Sequence, residues 1–189
     1  MPYRSLIDPL IDVSGYALQS LREVDALDIA RWRNEQMQVL RQSRLLTEQD
    51  QRRYYREFVA PSMSASQPDM VLVSFLMQGR CIGYGGLTHI DWGAQRAEVS
   101  FLLDTSRTVD KSSYRTDFVA FLRLLKALAF ERLLLRRLFT ETYDIRPYHT
   151  AALEAAGFIN EGRLRKHYLI DGALTDAVFH GLLKEDSRV

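Results

Sequence analysis

Proton-transfer chemistry is suggested first by His89 and Asp91, two residues apart in Leu87-Thr88-His89-Ile90-Asp91-Trp92. Side chains alternate between the faces of an extended strand, so both are expected on one face. An imidazole beside a carboxylate can accept a proton near neutral pH, which makes His89 a candidate base. The plainer alternative is that Asp91, just ahead of Trp92-Gly93, shapes a turn. In the next apolar run, Ala97-Glu98-Val99-Ser100-Phe101, alternation puts Glu98 with Ser100, opposite Ala97, Val99 and Phe101. Antiparallel pairing of the two runs would bring their carboxylates and imidazole together, although a strand carboxylate is also often just paired with arginine.

Anion binding is the second chemistry. Arginines stand at 31, 33, 41, 44, 52, 53 and 56 against acids at 35, 48, 50 and 57, an excess of three positive charges between Arg31 and Glu57. Guanidinium forks suit a diphosphate, and Tyr54 and Tyr55 could stack on a base or sugar. The same counts also describe a solvated helix face laced with ion pairs. A cationic polyamine would instead demand an acidic pocket. Over the whole chain 25 basic residues balance 24 acidic ones, so no global field draws it to nucleic acid or a membrane surface. The four histidines and Cys81 lack the spacing of metal ligands. One cysteine fits a reducing compartment, and no apolar run approaches the roughly 20 residues of a membrane span, so a cytoplasmic location is expected.

These residues need a scaffold, and 189 residues with 47% hydrophobic content suffice for one domain spanning 1–189. Periodicity predicts a strand over 16–21, a helix from Asp25 to Arg33 or beyond, and a second from a capping box at Thr47 to near Pro61. Residues 62–69 read as a loop. Strands follow over 70–77, 81–92 and 96–104, joined at Gln78-Gly79 and Trp92-Gly93 as a meander. Phe118, Phe121, Leu122, Leu125 and Leu128 mark one face of a long helix over 113–131. A strand over 138–143, a helix over 147–156 ended by Gly157, and two strands around Asp171-Gly172 complete an α/β chain.

The order of these elements, with Trp32-Arg33-Asn34, Ile82-Gly83-Tyr84-Gly85-Gly86-Leu87, Glu141-Thr142-Tyr143-Asp144, Gly157-Phe158 and Glu161-Gly162-Arg163-Leu164-Arg165, resembles the GCN5-related N-acetyltransferases over nearly the whole chain. The opening, Leu21 to Asn34, is similar to the RimJ-like and RimL-like branch. The sharper motifs resemble members that acetylate amino sugars on nucleotides, the pseudaminic acid pathway type among them. The resemblance implies a single mixed, mostly antiparallel sheet of six or seven strands splayed at its centre and flanked by four helices. It also implies acetyl-CoA as the cofactor, no metal, and direct attack of the amine on the thioester.

The resemblance further assigns roles. Backbone amides of Val99 to Leu103, through Phe101, Leu102 and Leu103, would hold the pantetheine arm and the carbonyl oxygen. Lys111, Ser112, Ser113, Tyr114, Arg115 and Thr116 occupy the pyrophosphate turn, but without the glycines that let amides approach a phosphate closely; simple helix capping is the competing reading. The Glu98 strand is similar to the one bearing the catalytic glutamate in histone-acetylating members, so Glu98 or His89 is the expected base. Leu153 stands where many relatives have a proton-donating tyrosine, leaving Tyr148, His149 and Tyr143 as substitutes, or water; His180 reads as structural. Arg33, Asn34, Arg41, Tyr54, Asp91, Glu141 and Tyr143 would line the acceptor site, which suits a small nucleotide-linked amino sugar. The competing functions are a protein N-terminal acetyltransferase, a non-catalytic acyl-CoA-binding module and a cofactor-free interaction domain. Exposed C-terminal strands also offer an edge for a homodimer.

Overall fold

A computed structural model describes residues 2–187, and in it the chain is organised around one eight-stranded sheet. The strands are β1 (Leu10–Ile11), β2 (Tyr16–Ser20), β3 (Val71–Met77), β4 (Arg80–Asp91), β5 (Arg96–Leu103), β6 (Arg137–Tyr143), β7 (Ile159–Ile170) and β8 (Ala173–Leu183). Their order is β1-β2-β3-β4-β5-β6-β8-β7, and every neighbouring pair is antiparallel except β5 and β6. The expected count of six or seven strands is corrected to eight. The unforeseen strand, β1, has two residues, too few for alternation to register.

Turn chemistry sets the hairpins. Gln78-Gly79 (φ +50° and +79°) and Asp171-Gly172 (φ +48° and +79°) are two-residue connections with both residues left-handed, the twist that suits tightly paired antiparallel strands.

Helices cover both faces: α1 (Ala26–Glu35), α2 (Glu48–Tyr54), α3 (Ala60–Ser64), α4 (Lys111–Ala127) and α5 (Pro147–Ala155). Thr47 caps α2 with the expected reciprocal bonds to Asp50. The second helix does not stop at Pro61. A π-helical turn, Tyr55–Val59, joins α2 to α3 and places Pro61 in the first turn of α3, where its missing N–H costs little. On one face, Phe118 and Phe121 of α4 pack on Phe101 of β5 at ring distances of 4.4 and 4.6 Å, with Leu122 and Leu125 fully buried beside them. Gly157 (φ +92°) ends α5, and Phe158 N–H returns to Leu153 O at 3.1 Å. On the other face, α1 is tied to the sheet by Arg33, whose guanidinium donates to the Tyr84 hydroxyl.

What positions a site is the parting of β5 and β6. They pair only at Arg96 with Arg137, Ala97 with Leu138 and Glu98 with Phe139, and then diverge. Asp104 N–H donates to Ile82 O at 2.8 Å on the β4 side. Alternation therefore commits the backbone groups of Leu102 and Ser100 to β4 and turns those of Val99, Phe101 and Leu103 toward the opening. Leu103 O is met there by Gln36 Nε2 at 2.8 Å.

The β4 glycines keep this arrangement tight. A Cβ at Gly85 would stand 2.2 Å from Ser100 O, and one at Gly86 (φ +133°) 2.1 Å from Val71 O. Gly85→Ala is expected to cost about 2–4 kcal/mol by forcing β4 from β5. In a chain of this size that lowers Tm by roughly 5–15 °C. A thermal melt unchanged by the substitution would show that the two backbones need not lie so close.

Candidate active site

The opening between β5 and β6 holds a cavity of about 210 Å³ lined by both faces of the sheet. On the α1 side, Glu98 is 13% exposed, and its carboxylate accepts from Arg41 at 3.1 Å and meets His89 Nδ1 at 2.8 Å. His89, 70% exposed, leads from that carboxylate to solvent. His89 adopts φ +48° within a register break between Thr88 and Asp91. A non-glycine residue held there stores strain of the kind found at functional sites.

That break corrects the expected His89 and Asp91 pair. Asp91 turns to the hairpin, accepting Ala94 N–H at 2.9 Å and lying 3.6 Å from Arg96, so the turn-shaping alternative holds. The partner of His89 is Glu98. Arg41 is likewise engaged by acids: it bridges Glu98 and Glu141, the latter at 3.0 Å. Glu141 also accepts from the Tyr168 hydroxyl, and Tyr143 packs edge-on against the Tyr168 ring at 4.6 Å. Tyr143 is therefore a packing partner beside the cavity.

On the α4 side, Thr140, Thr142, Arg146 and His149 line the same cavity with Phe101 and Phe118. Thr140 Oγ1 and Arg146 Nε are buried without a hydrogen-bond partner among the described residues. His149 is sandwiched against Phe118 (4.6 Å, 14°), and its Nδ1 is hydrogen-bonded to the Tyr114 hydroxyl at 2.6 Å. Burial first, then the nearby Arg146 and His180, holds its pKa well below the usual value, so the ring is neutral. Tyr148 does not reach the cavity: its ring lies under Lys111 Nζ at 4.3 Å and edge-on to Tyr114 at 5.0 Å. His180 is fully buried, with neither ring nitrogen hydrogen-bonded among the described residues.

The α4 start favours the capping reading. Asp110 accepts the amides of Ser112 and Ser113 at 3.3 and 2.9 Å, together with the Ser113 hydroxyl. Those hydrogen bonds lower the Asp110 pKa, led by the one from the Ser113 hydroxyl. Lys111 Nζ is donated to Thr108 O, Thr116 Oγ1 to Ser112 O, and Tyr114 is buried in the core. Of the residues expected at a pyrophosphate, Ser112, Arg115 and Thr116 line an open surface cavity beside Arg123, and Arg115 is the one that brings charge to it. For the pantetheine, Phe101 and Leu103 present backbone groups to the opening whereas Leu102 spends its own on β4. The opening thus fits an acyl-pantetheine arm, while the helix amides that would take a pyrophosphate are held by a carboxylate.

A second cavity, about 420 Å³, adjoins the first on the α1 side and shares Arg33, Thr88 and Ser100 with it. Arg44, Asp50, Arg53, Tyr54 and Phe58 close it, the last two stacked at 5.5 Å. Arg44 and Arg53 share Asp50. Among the described residues Arg33 hydrogen-bonds only to neutral groups, Tyr84 at 2.5 Å and Gln42 at 2.9 Å. Asn34, next to it, locks the 36–47 segment through Leu46 and through Gln42, the same amide that Arg33 contacts. Asn34 is thus structural rather than acceptor-binding.

A profile of the acetyltransferase (GNAT) domain matches residues 18–179. The chain belongs to that family. The GNAT acetyltransferases are acetyl-CoA-dependent, and this enzyme has an opening between β5 and β6. Among curated proteins nothing matches it. Its fold is shared with spermidine N-acetyltransferase from Vibrio cholerae in complex with CoA and spermine (TM-score 0.78, 19% identity, 92% of this chain and 98% of that one). It is shared too with Mycobacterium smegmatis RimJ in complex with CoA-disulfide (0.75, 19%, 95% and 87%). A third is the ribosomal-protein-S5-alanine acetyltransferase of Vibrio fischeri (0.74, 17%, 96% and 100%). Among the described residues, no cluster of three or more His, Cys, Asp or Glu could hold a metal, and no helix is long and apolar enough to cross a membrane.

Sequence reasoning missed Arg146 and Thr140. The readable signal was an arginine at the start of a helix, where a carboxylate or hydroxyl is the usual cap. Because Asp110 holds the α4 amides that a phosphate would take, Asp110→Ala is expected to loosen the helix slightly yet tighten CoA binding severalfold by calorimetry. Weaker CoA binding in that variant would show that Asp110 organises the turn for the cofactor rather than blocking it.

Proposed function

We propose that this acetyltransferase transfers an acetyl group to the primary amine of a small acceptor carrying a phosphate group, of the nucleotide-linked amino-sugar class. The observation that carries this reading is Arg33, a guanidinium with no acidic partner among the described residues, at the junction of the two cavities. The larger cavity has three arginines against one aspartate, and its Tyr54 and Phe58 rings offer a stacking wall. A polycation would meet like charge there. A charged diphosphate anchored at Arg33 would leave the amine free to reach Glu98.

The amine attacks directly, with Glu98 accepting its proton and His89 passing it to solvent. No covalent acyl-enzyme is required. Cys81 lies outside both cavities, and burial, followed by the Asp25 carboxylate, pushes its thiol up to about 12. The spent proton has a path outward because His89 is the exposed end of the pair.

An acceptor panel tests the class: nucleoside-diphosphate amino sugars, free amino sugars, spermidine and N-terminal peptides, each with acetyl-CoA. Turnover confined to the nucleotide-linked sugars is expected; preference for spermidine or for peptides would overturn the reading. Arg33→Gln is expected to raise KM for that acceptor about 10–100-fold with little change in kcat, the loss of one charge-assisted bond. Glu98→Gln is expected to lower kcat about 100-fold or more while leaving acetyl-CoA affinity intact. Undiminished turnover in Glu98→Gln would remove Glu98 from the chemistry.

A further inference from the structure

Arg146 is out of place by ordinary electrostatics. It occupies the N-cap of α5, where its side chain makes no capping bond. A cation beside the positive end of a helix is disfavoured, and the usual cap is a hydrogen-bond acceptor. Pro147 forbids the helical conformation to the residue before it, and Arg146 accordingly adopts φ −131°, ψ 78°. Its side chain lines the opening between β5 and β6 but forms no ion pair with any described carboxylate, and its Nε is buried without a partner. Thr140 Oγ1, from the facing strand β6, is equally unpartnered and lines the same space. Two residues that line one cavity, each with an unpartnered buried polar atom and one of them charged, call for an anion beside them.

The neighbouring groups narrow which anion. Leu153 is fully buried and has no ionisable proton. Tyr148 is turned to Lys111, and His149, its Nδ1 held by Tyr114, is kept neutral by burial and so has no acidic proton to give. Among the described residues the α4 side of the opening thus has no acid placed to protonate a leaving group, yet it has a guanidinium and a hydroxyl. We infer that Arg146, seconded by Thr140, stabilises the departing thiolate of the acyl donor, so that transfer proceeds without a general acid. The amine nitrogen bonds to the acetyl carbon and the carbon–sulfur bond breaks, its electron pair leaving on sulfur. The amine proton departs on the opposite face through Glu98. Sulfur leaves as the thiolate, held by the Arg146 N–H and Thr140 O–H donors, and takes its own proton from water after release.

This inference rests on the acetyl-CoA reading of the cavity, and the test separates the two. The thiol of CoA bound to the full-length protein is titrated by its thiolate absorbance in wild type, Arg146→Gln, Arg146→Lys and Thr140→Val. In wild type the bound thiol is expected to ionise at least about tenfold more readily than an ordinary thiol near 8.5. Arg146→Gln loses that shift, Arg146→Lys retains part of it, and Thr140→Val weakens it. Over the same series kcat falls about 100-fold in Arg146→Gln while CoA affinity is nearly constant. Should Arg146→Gln fail to fold, the lysine and valine variants carry the comparison. An unshifted bound thiol in wild type, or a shift that survives in Arg146→Gln, overturns the inference. Loss of affinity matching the loss of kcat would do the same, by making Arg146 a phosphate ligand. Absence of CoA binding in wild type would remove the cavity reading and this inference together.

Discussion

Three pairs of residues hold β5 to β6, and past Glu98 and Phe139 the ladder stops. An opened ladder leaves main-chain donors and acceptors without partners in the middle of a sheet, which a fold tolerates only where something else satisfies them. Gln36 reaches across from the end of α1 to do so for Leu103 O. Val99 and Phe101 present theirs to the cavity. The rest of the structure keeps that edge straight: glycines let β4 lie against β5, and Phe118 and Phe121 press Phe101 from behind.

The opening also divides labour between the faces of the sheet. Alternation sends Glu98 and Ser100 to the α1 side, where Arg41, Glu141 and His89 gather the acid-base groups. It sends Thr140 to the α4 side, where Arg146 and a neutral His149 wait. Amine and thioester can then approach from opposite faces and meet where the strands part. In the proposed reaction that separation puts the proton acceptor and the departing sulfur on different faces.

Much of this was legible in the residues. The apolar stripe of α4, the capping box at Thr47, the turn at Asp171-Gly172 and the Gly157 stop all carry local signals strong enough to survive tertiary packing. Three features were not legible, for different physical reasons. A two-residue strand has no period. A bulge at His89 reverses the alternation that placed His89 with Asp91, and nothing local announces a bulge in a run without glycine at that point. Which arginines remain free depends on partners far away in sequence: Arg41 is consumed by Glu98 and Glu141, while Arg33 is left with a tyrosine and a glutamine. Charge counting could not tell them apart. Arg146, by contrast, broke a local rule in plain view.

The central claim is that the unpaired edge of β5 receives the acyl donor. Residue-resolved amide hydrogen exchange, with and without saturating acetyl-CoA, tests it at the atoms concerned. Slower exchange at Phe101 and Val99, with Ser100 and Leu102 unchanged because β4 already holds them, is the expected result. Uniform exchange along β5 in the presence of acetyl-CoA would contradict the claim and leave the parted strands as architecture alone.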